Sequence, residues 1–408
     1  MNNEEKLIKM LKYVSEHNDF YKNRIKEYGI TNPLDITQWP ILTRKELQEN
    51  RYNMFSDGYK TKYINQQLRR QSSSGSTGVP VNVYWDYKDW YASNMCLWRR
   101  RQQWYGIRPS DKYCIFTLNA FGITPEEKTL YYINKPSNVM SFNVSLIRDE
   151  HGYQQMAKVI NNFRPQWLYI QPFVLNQLIR AYSKLNLAPV NTIRYIESVG
   201  EILTSDLRRR AEDMFGIKLT NMYGSEEMNG IAIENRERAM EVALDNVFLE
   251  VQNGDCIAYD EGNAIVTNLC NFAMPIIRYE QRDHIVLQRN DNNSMYLSVV
   301  LGRFHDDVEL LSGVHINTFV LSELIAEINN QFNDIIVEYS FEYLTNERTL
   351  SCKISISDSR KEWTNNVCRA IKNAFNNKIS KKSEITITVI SEYENIVHEK
   401  KKMFFVRL

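Results

Sequence analysis

Apolar residues recur at Leu7, Met10, Leu11 and Val14, a spacing that lines one face of a helix. The opposite face mixes acids and bases, which predicts a helix that packs rather than one that anchors. In "PILTRKEL", Thr43 stands three residues before Glu46, the spacing of a capping box that opens a short helix. Between Val81 and Gly230 two kinds of pattern alternate. "KYCIFTL" and "IRYIESVG" are short apolar runs suited to buried strands, while "YQQMAKVINNF", "VLNQLIRAYSKL" and "SDLRRRAEDMFG" carry helical periodicity. This alternation predicts an α/β fold. From about residue 241 to 300 strand-like runs take over, with turns expected at Asn253-Gly254 and Gly262-Asn263.

Beyond Gly302 a new periodic block begins. It reads as a helix over "TFVLSELIAEINNQF", strands over "IIVEYSFEY" and "TLSCKISI", a helix over "EWTNNVCRAIKNAF" and a strand over "EITITVI". Such a block has the makings of its own core, so the expected division is a large domain over residues 1–305, with its β-rich part at about 241–300, and a small α+β domain over 306–408. No internal repeat or low-complexity linker interrupts the chain.

At 408 residues the chain is long enough for two or three domains of roughly 100–200 residues each. Lysine plus arginine total 50 against 49 acids, and the resulting +1 gives no global attraction to nucleic acid or an anionic membrane. Cys96, Cys114, Cys256, Cys270, Cys352 and Cys368 are scattered, without Cys-x-x-Cys or a histidine at zinc-ligand spacing, and read as reduced thiols. The opening residues are too charged for a signal peptide and no run approaches the roughly 20 apolar residues of a membrane span, so a cytoplasmic protein is expected.

One stretch stands out chemically: "SSGSTGVPV", from Ser73 to Val81, where hydroxyls and glycines crowd before a strand. Glycines let the backbone come close to a ligand, successive N–H groups suit phosphate oxygens, and hydroxyls add donors without charge. It is not a Walker loop, since Gly75 and Gly78 are three apart and Val79, not lysine, follows. It resembles the signature loop of the adenylate-forming superfamily of acyl-CoA synthetases and adenylation domains. Further stretches follow in that family's order: "SVGEIL", "NMYGSEE", "IIRYEQRD" and "GRFHDD". The N-terminal "HNDFYKNRIKEYGI" and "WPILTRKEL" are similar to the phenylacetate-CoA ligase branch, especially its capsular-polysaccharide-biosynthesis type.

The resemblance implies a role for each matched residue. Ser73, Ser74, Gly75, Ser76, Thr77 and Gly78 would hold phosphates; Gly200 and Glu201 would lie beside the adenine; Tyr223, followed by Gly224, would lie against it. Glu227 would bind the Mg²⁺ that bridges the phosphates. Asp283 would accept from both ribose hydroxyls, a task for an ionised carboxylate with two oxygens, and Arg303 would add a ribose or phosphate contact. Asp306 would be the hinge about which the C-terminal domain, a lid, turns. Lys402, with Lys401 as runner-up, would reach the reacting carboxylate and α-phosphate. Phe121, Gly122, Trp167, Tyr169 and Gln171 fall where the family places the walls of its acid pocket.

Three positions depart from the family pattern. Glu226 replaces a serine or threonine, Arg282 replaces a glycine, and no glycine precedes Lys402. The implied activity is ATP- and Mg²⁺-dependent conversion of a carboxylic acid to an acyl-adenylate, then acyl transfer. Coenzyme A is the family's commonest acceptor; a carrier-protein thiol, or an amine or hydroxyl on a sugar, fits the capsule-type likeness. A homodimer is compatible with this likeness. The rival reading, motivated by the three departures, is a nucleotide-binding scaffold that kept the fold without efficient chemistry. A nucleic-acid ligase would need Lys-x-Asp-Gly, which the sequence lacks.

Overall fold

The computed structural model describes residues 2–72, 81–117, 129–147, 150–253, 256–258, 261–290, 294–303, 308–309, 315–316, 318–332, 335–356, 358–378, 386–391 and 404–407. The chain divides into two compact units, one formed by residues 1–108 with 221–300 and the other by residues 109–220 with 301–408.

The first unit is built on a largely antiparallel sheet. Its strands lie in the order Cys256–Ala258, Val247–Asn253, Glu261–Asn268, Tyr279–Arg289, Met295–Arg303, Met240–Val242, Asn229–Glu234 and Leu219–Ser225. The expected β-rich stretch is therefore continuous with the hairpin that precedes it. Gly262-Asn263 is a correction: these residues lie inside a strand, opposite Ile285 and His284, not in a turn. A Cβ on Gly262 would stand 2.2 Å from the Gln252 carbonyl oxygen, so the glycine serves close strand approach.

The N-terminal segment packs onto this sheet. Leu7, Met10, Leu11 and Val14 bury the predicted face of the helix Asn3–His17. Thr43 and Glu46 form the predicted capping box at the helix Arg44–Glu49. Just before it, Leu42 lies alongside Tyr279: the Leu42 N–H donates to the Arg278 carbonyl at 2.8 Å, and the Glu280 N–H to the Leu42 carbonyl at 3.0 Å.

In the second unit the strands Val139–Asn143, Tyr113–Thr117, Trp167–Ile170 and Tyr195–Val199 run parallel, with Tyr131–Asn134 antiparallel at the edge. The helices Glu150–Phe163, Pro172–Lys184 and Ser205–Phe215 bury Met156, Ile160, Leu175, Leu178 and Leu207 against Phe116, Leu168 and Ile196. Residues beyond 301 add a sheet in the order Thr386–Ser391, Thr349–Ile356, Ile336–Leu344, Phe404–Arg407, with the helices Thr318–Gln331 and Thr364–Lys378. Buried residues of this block, among them Leu324, Ile328, Phe341, Ile354, Ile371 and Phe375, form one hydrophobic cluster. Among the described residues no helix is long and apolar enough to cross a membrane. Cys96, Cys114, Cys270, Cys352 and Cys368 carry free thiols, as expected.

Candidate functional site

Two of the motif stretches meet in the first unit. The strand Leu219–Ser225 carries Tyr223 and Gly224, and it turns through Glu226, Glu227 and Met228 into Asn229–Glu234. Gly224 is required by this hairpin, because a Cβ there would lie 2.2 Å from the Asn229 carbonyl oxygen, a backbone atom with no room to retreat. The strand Tyr279–Arg289 supplies Tyr279 and Asp283.

The side chains cross-link the two stretches. Tyr223 Oη donates to Asp283 Oδ2 at 2.6 Å, and Tyr279 Oη to Glu227 Oε1 at 3.4 Å. Asp283 and Glu227 are both almost wholly removed from solvent. Burial, with the Glu227 charge as a second cause, pushes the Tyr279 hydroxyl well above the usual tyrosine range, so it stays a donor. Arg44 Nη1 lies 3.9 Å from Glu227 Oε1, with both side chains buried. Arg44 is a participant that motif reading missed. The only signal available was indirect: the Thr43 capping box fixes Arg44 at the first position of a helix, but its contact with residue 227 is a matter of tertiary packing.

The two departures within these stretches have structural explanations. Arg282 takes φ +66, the left-handed conformation that glycine adopts freely. The backbone thus keeps the form that a glycine would allow, and the side chain reaches Glu280, its Nε 3.5 Å from Oε2. Arg282→Gly should therefore stabilise the protein by about 1 kcal/mol, read as a rise in the denaturant midpoint, because the strain removed outweighs a part-exposed ion pair. Glu226 accepts from Gln71 Nε2 at 3.1 Å. Its carboxylate is thereby engaged with the strand Arg69–Ser72, which leads directly to Ser73.

A second group of expected residues gathers in the other unit. Gly200, at φ +79, follows the strand Tyr195–Val199. Glu201 Oε2 accepts from the Phe173 N–H at 2.9 Å and so caps the helix Pro172–Lys184, whose own N-cap residue, Gln171, makes no side-chain cap. Gln171 instead donates through Nε2 to the Phe116 carbonyl at 2.8 Å. Trp167 is 1% exposed and stacks on Tyr113 with ring centres 4.3 Å apart, so it packs behind the partly exposed Tyr169.

Ser73, Ser74, Gly75, Ser76, Thr77, Gly78, Phe121, Gly122, Asp306, Lys401 and Lys402 lie outside the described residues, as does the side chain of Arg303 at the end of its strand. Among the described residues no cluster of three or more His, Cys, Asp and Glu side chains is set to hold a metal. A single buried carboxylate is nevertheless compatible with Mg²⁺, which keeps several waters and takes one or two carboxylates alongside substrate phosphates.

Residues 71–246 match the model of the AMP-binding enzyme family. The phenylacetate-coenzyme A ligase of Escherichia coli (strain K12) is 23% identical over 405 residues, covering 92% of this chain and 88% of its own. The enzyme of the same name from Thermus thermophilus is 22% identical over 77% of this chain and 72% of its own. Among solved structures, 2-hydroxyisobutyryl-CoA ligase in the postadenylation state, in complex with 2-HIB-AMP, superposes with a TM-score of 0.75 at 16% identity, over 99% of this chain and 89% of that one.

Proposed function

We propose that this chain, an AMP-forming ligase of the adenylate-forming superfamily, activates a small carboxylic acid with ATP and passes the acyl group to coenzyme A. The observation that carries the proposal is the cross-linking of the two motif stretches, Tyr223 to Asp283 and Tyr279 to Glu227. It brings an aromatic ring and a buried carboxylate suited to a nucleoside together with a second carboxylate suited to a phosphate-bound cation.

In the proposed reaction an oxygen of the acid attacks the α-phosphorus of ATP, the bond to the β-phosphate oxygen breaks, and pyrophosphate leaves. A thiolate then attacks the acyl carbon and AMP leaves. Asp283 receives the ribose hydroxyls, and Tyr223 lies along the adenine. Glu227 holds Mg²⁺, which neutralises phosphate charge when bound. Tyr279 and Arg44 orient that carboxylate from behind. The hydroxyls of Ser73, Ser74, Ser76 and Thr77 and the backbone of Gly75 and Gly78 receive the departing phosphates, an electrostatic role. Gly200 and Glu201 flank the base, with Glu201 fixed by its helix cap. Phe121, Gly122, Tyr169 and Gln171, backed by Trp167, line the acid pocket. The block from residue 306 turns as a lid about Asp306, bringing Lys402, or Lys401 beside it, to the reacting oxygens, and Arg303 steadies the ribose.

The likeness of the N-terminal segment to the capsule-type branch supports a sugar amine or hydroxyl as the alternative acceptor, in surface polysaccharide biosynthesis. The test is pyrophosphate release from ATP and Mg²⁺ with hydroxylamine as acyl trap, across aryl, fatty, hydroxy and amino acids. Release that depends on one acid class, and thioester formation when coenzyme A replaces hydroxylamine, is the expected result. Binding of ATP without turnover across the whole panel would instead favour the scaffold reading.

A further inference from the structure

A set of neutral polar side chains behind the Glu227 turn has no part in the reaction as proposed above. Gln71, in the strand that leads to Ser73, donates from Nε2 both to Glu226 Oε2 at 3.1 Å and to Asn229 Oδ1 at 3.0 Å. Asn229 Nδ2 donates to Ser93 Oγ at 3.0 Å, and Ser93 Oγ donates to Asn246 Oδ1 at 2.7 Å. Asn246 Nδ2 then returns to the turn itself, donating to the carbonyls of Met228 at 2.9 Å and Gly230 at 2.7 Å. Every donor in this relay points the same way round. Ser93 and Asn246 are buried, where a polar group left without a partner is costly, so the ring holds together as a unit.

Asn229 is the keystone by chemistry. Its backbone is left-handed, with φ +59, a conformation that asparagine tolerates better than most residues. Its side chain accepts from Gln71 and donates to Ser93 at once, which an amide does and an ionised carboxylate, an acceptor only, does not. The two acceptors around Gln71 Nε2 likewise fix which end of that amide faces the turn.

We infer that Asn229, with Gln71 and Ser93, is a positioning residue that keeps the Glu227 turn in register with the strand entering the serine-rich segment, and so sets affinity for the outer phosphates of ATP. The inference rests on the ligase reading, since it assigns those phosphates to Glu227 and the serine-rich segment. It also accounts for Glu226: where the family has a small hydroxyl, this chain has a carboxylate that anchors the same strand through Gln71.

The test compares ATP and AMP binding to the full chain by calorimetry with magnesium present. Asn229→Gly keeps the left-handed backbone and removes both side-chain bonds. It should weaken ATP binding about tenfold or more and leave AMP binding within about twofold, because AMP lacks the outer phosphates. Gln71→Met, at the outer end of the relay, carries the same expectation and serves if Asn229→Gly does not fold. A purely structural role would lower both affinities together or neither, and either result would overturn the inference while leaving the ligase reading intact. A wild-type protein that binds neither nucleotide would overturn both.

Discussion

Arg278→Ala should cost about 3–5 kcal/mol of folding stability, the loss typical of breaking a buried ion pair from one side. Arg278 is buried, and its Nε donates to Glu250 Oε2 at 3.1 Å. Its Nη1 donates to the Trp39 carbonyl at 2.5 Å, while its own carbonyl accepts from the Leu42 N–H. One side chain thus joins the motif strand, the strand Val247–Asn253 and the N-terminal segment. Burial already pushes the Glu250 carboxyl above the usual carboxylate range, and Arg278 pulls against it. Without the guanidinium that carboxyl should rise further. A folded-state value above the unfolded one makes stability fall as pH rises through it, so the deficit of the variant should be smaller in mildly acidic solution than at neutral pH. Denaturant midpoints measured at the two pH values check both the size and the sign. An equal deficit at both would mean that the loss is one of packing and carbonyl bonding, not of charge.

The largest effect on activity is expected from Glu227→Gln. The amide keeps the volume and can still accept from Tyr279, but it loses the charge that Mg²⁺ would meet. Acid-dependent pyrophosphate release should drop by about 10²–10³-fold, the scale of losing one electrostatic contact to the departing charge. Because Arg44 would then lose a buried carboxylate partner at 3.9 Å, some stability should go as well. The assay is therefore run well below the melting temperature of the variant. Retained AMP binding separates a chemical loss from an unfolded site. Activity within a few-fold of wild type would remove Glu227 from the metal-binding role.

Local signals carried much of this architecture. The apolar face of the first helix, the Thr43 capping box, the parallel strands around Cys114 and Ile196 and the helices and strands beyond residue 318 are all patterns within a few residues of each other. Tyr223, Glu227 and Asp283 could be found in the same way, as motif letters. What escaped was long-range or compositionally diluted. The helix Tyr87–Tyr105 has a weak apolar stripe, broken by arginine, glutamine and tyrosine, although Asp86 caps its start and Gly106, at φ +68, ends it. The strand Val139–Asn143 is wholly buried yet contains Ser141 and Asn143, which mask it as a loop. Arg44 beside Glu227 and the links from Gln71 to Asn229, Asn229 to Ser93 and Ser93 to Asn246 join residues more than a hundred positions apart, and no periodicity records those.

The attachment of Leu42 beside Tyr279 also has a consequence for the birth of the chain. The first unit is discontinuous in sequence, and its N-terminal helices find their places only once the strand from Tyr279 has been made. At a synthesis rate of about 5–20 residues per second, that strand emerges on the order of ten seconds or more after Leu42. The parallel strands from Tyr113 to Val199 are complete earlier and can close first. During that interval the buried face of the opening helix, Leu7, Met10, Leu11 and Val14, waits uncovered by its final partners. The nascent chain therefore passes through a stage in which a chaperone has a defined apolar segment to hold.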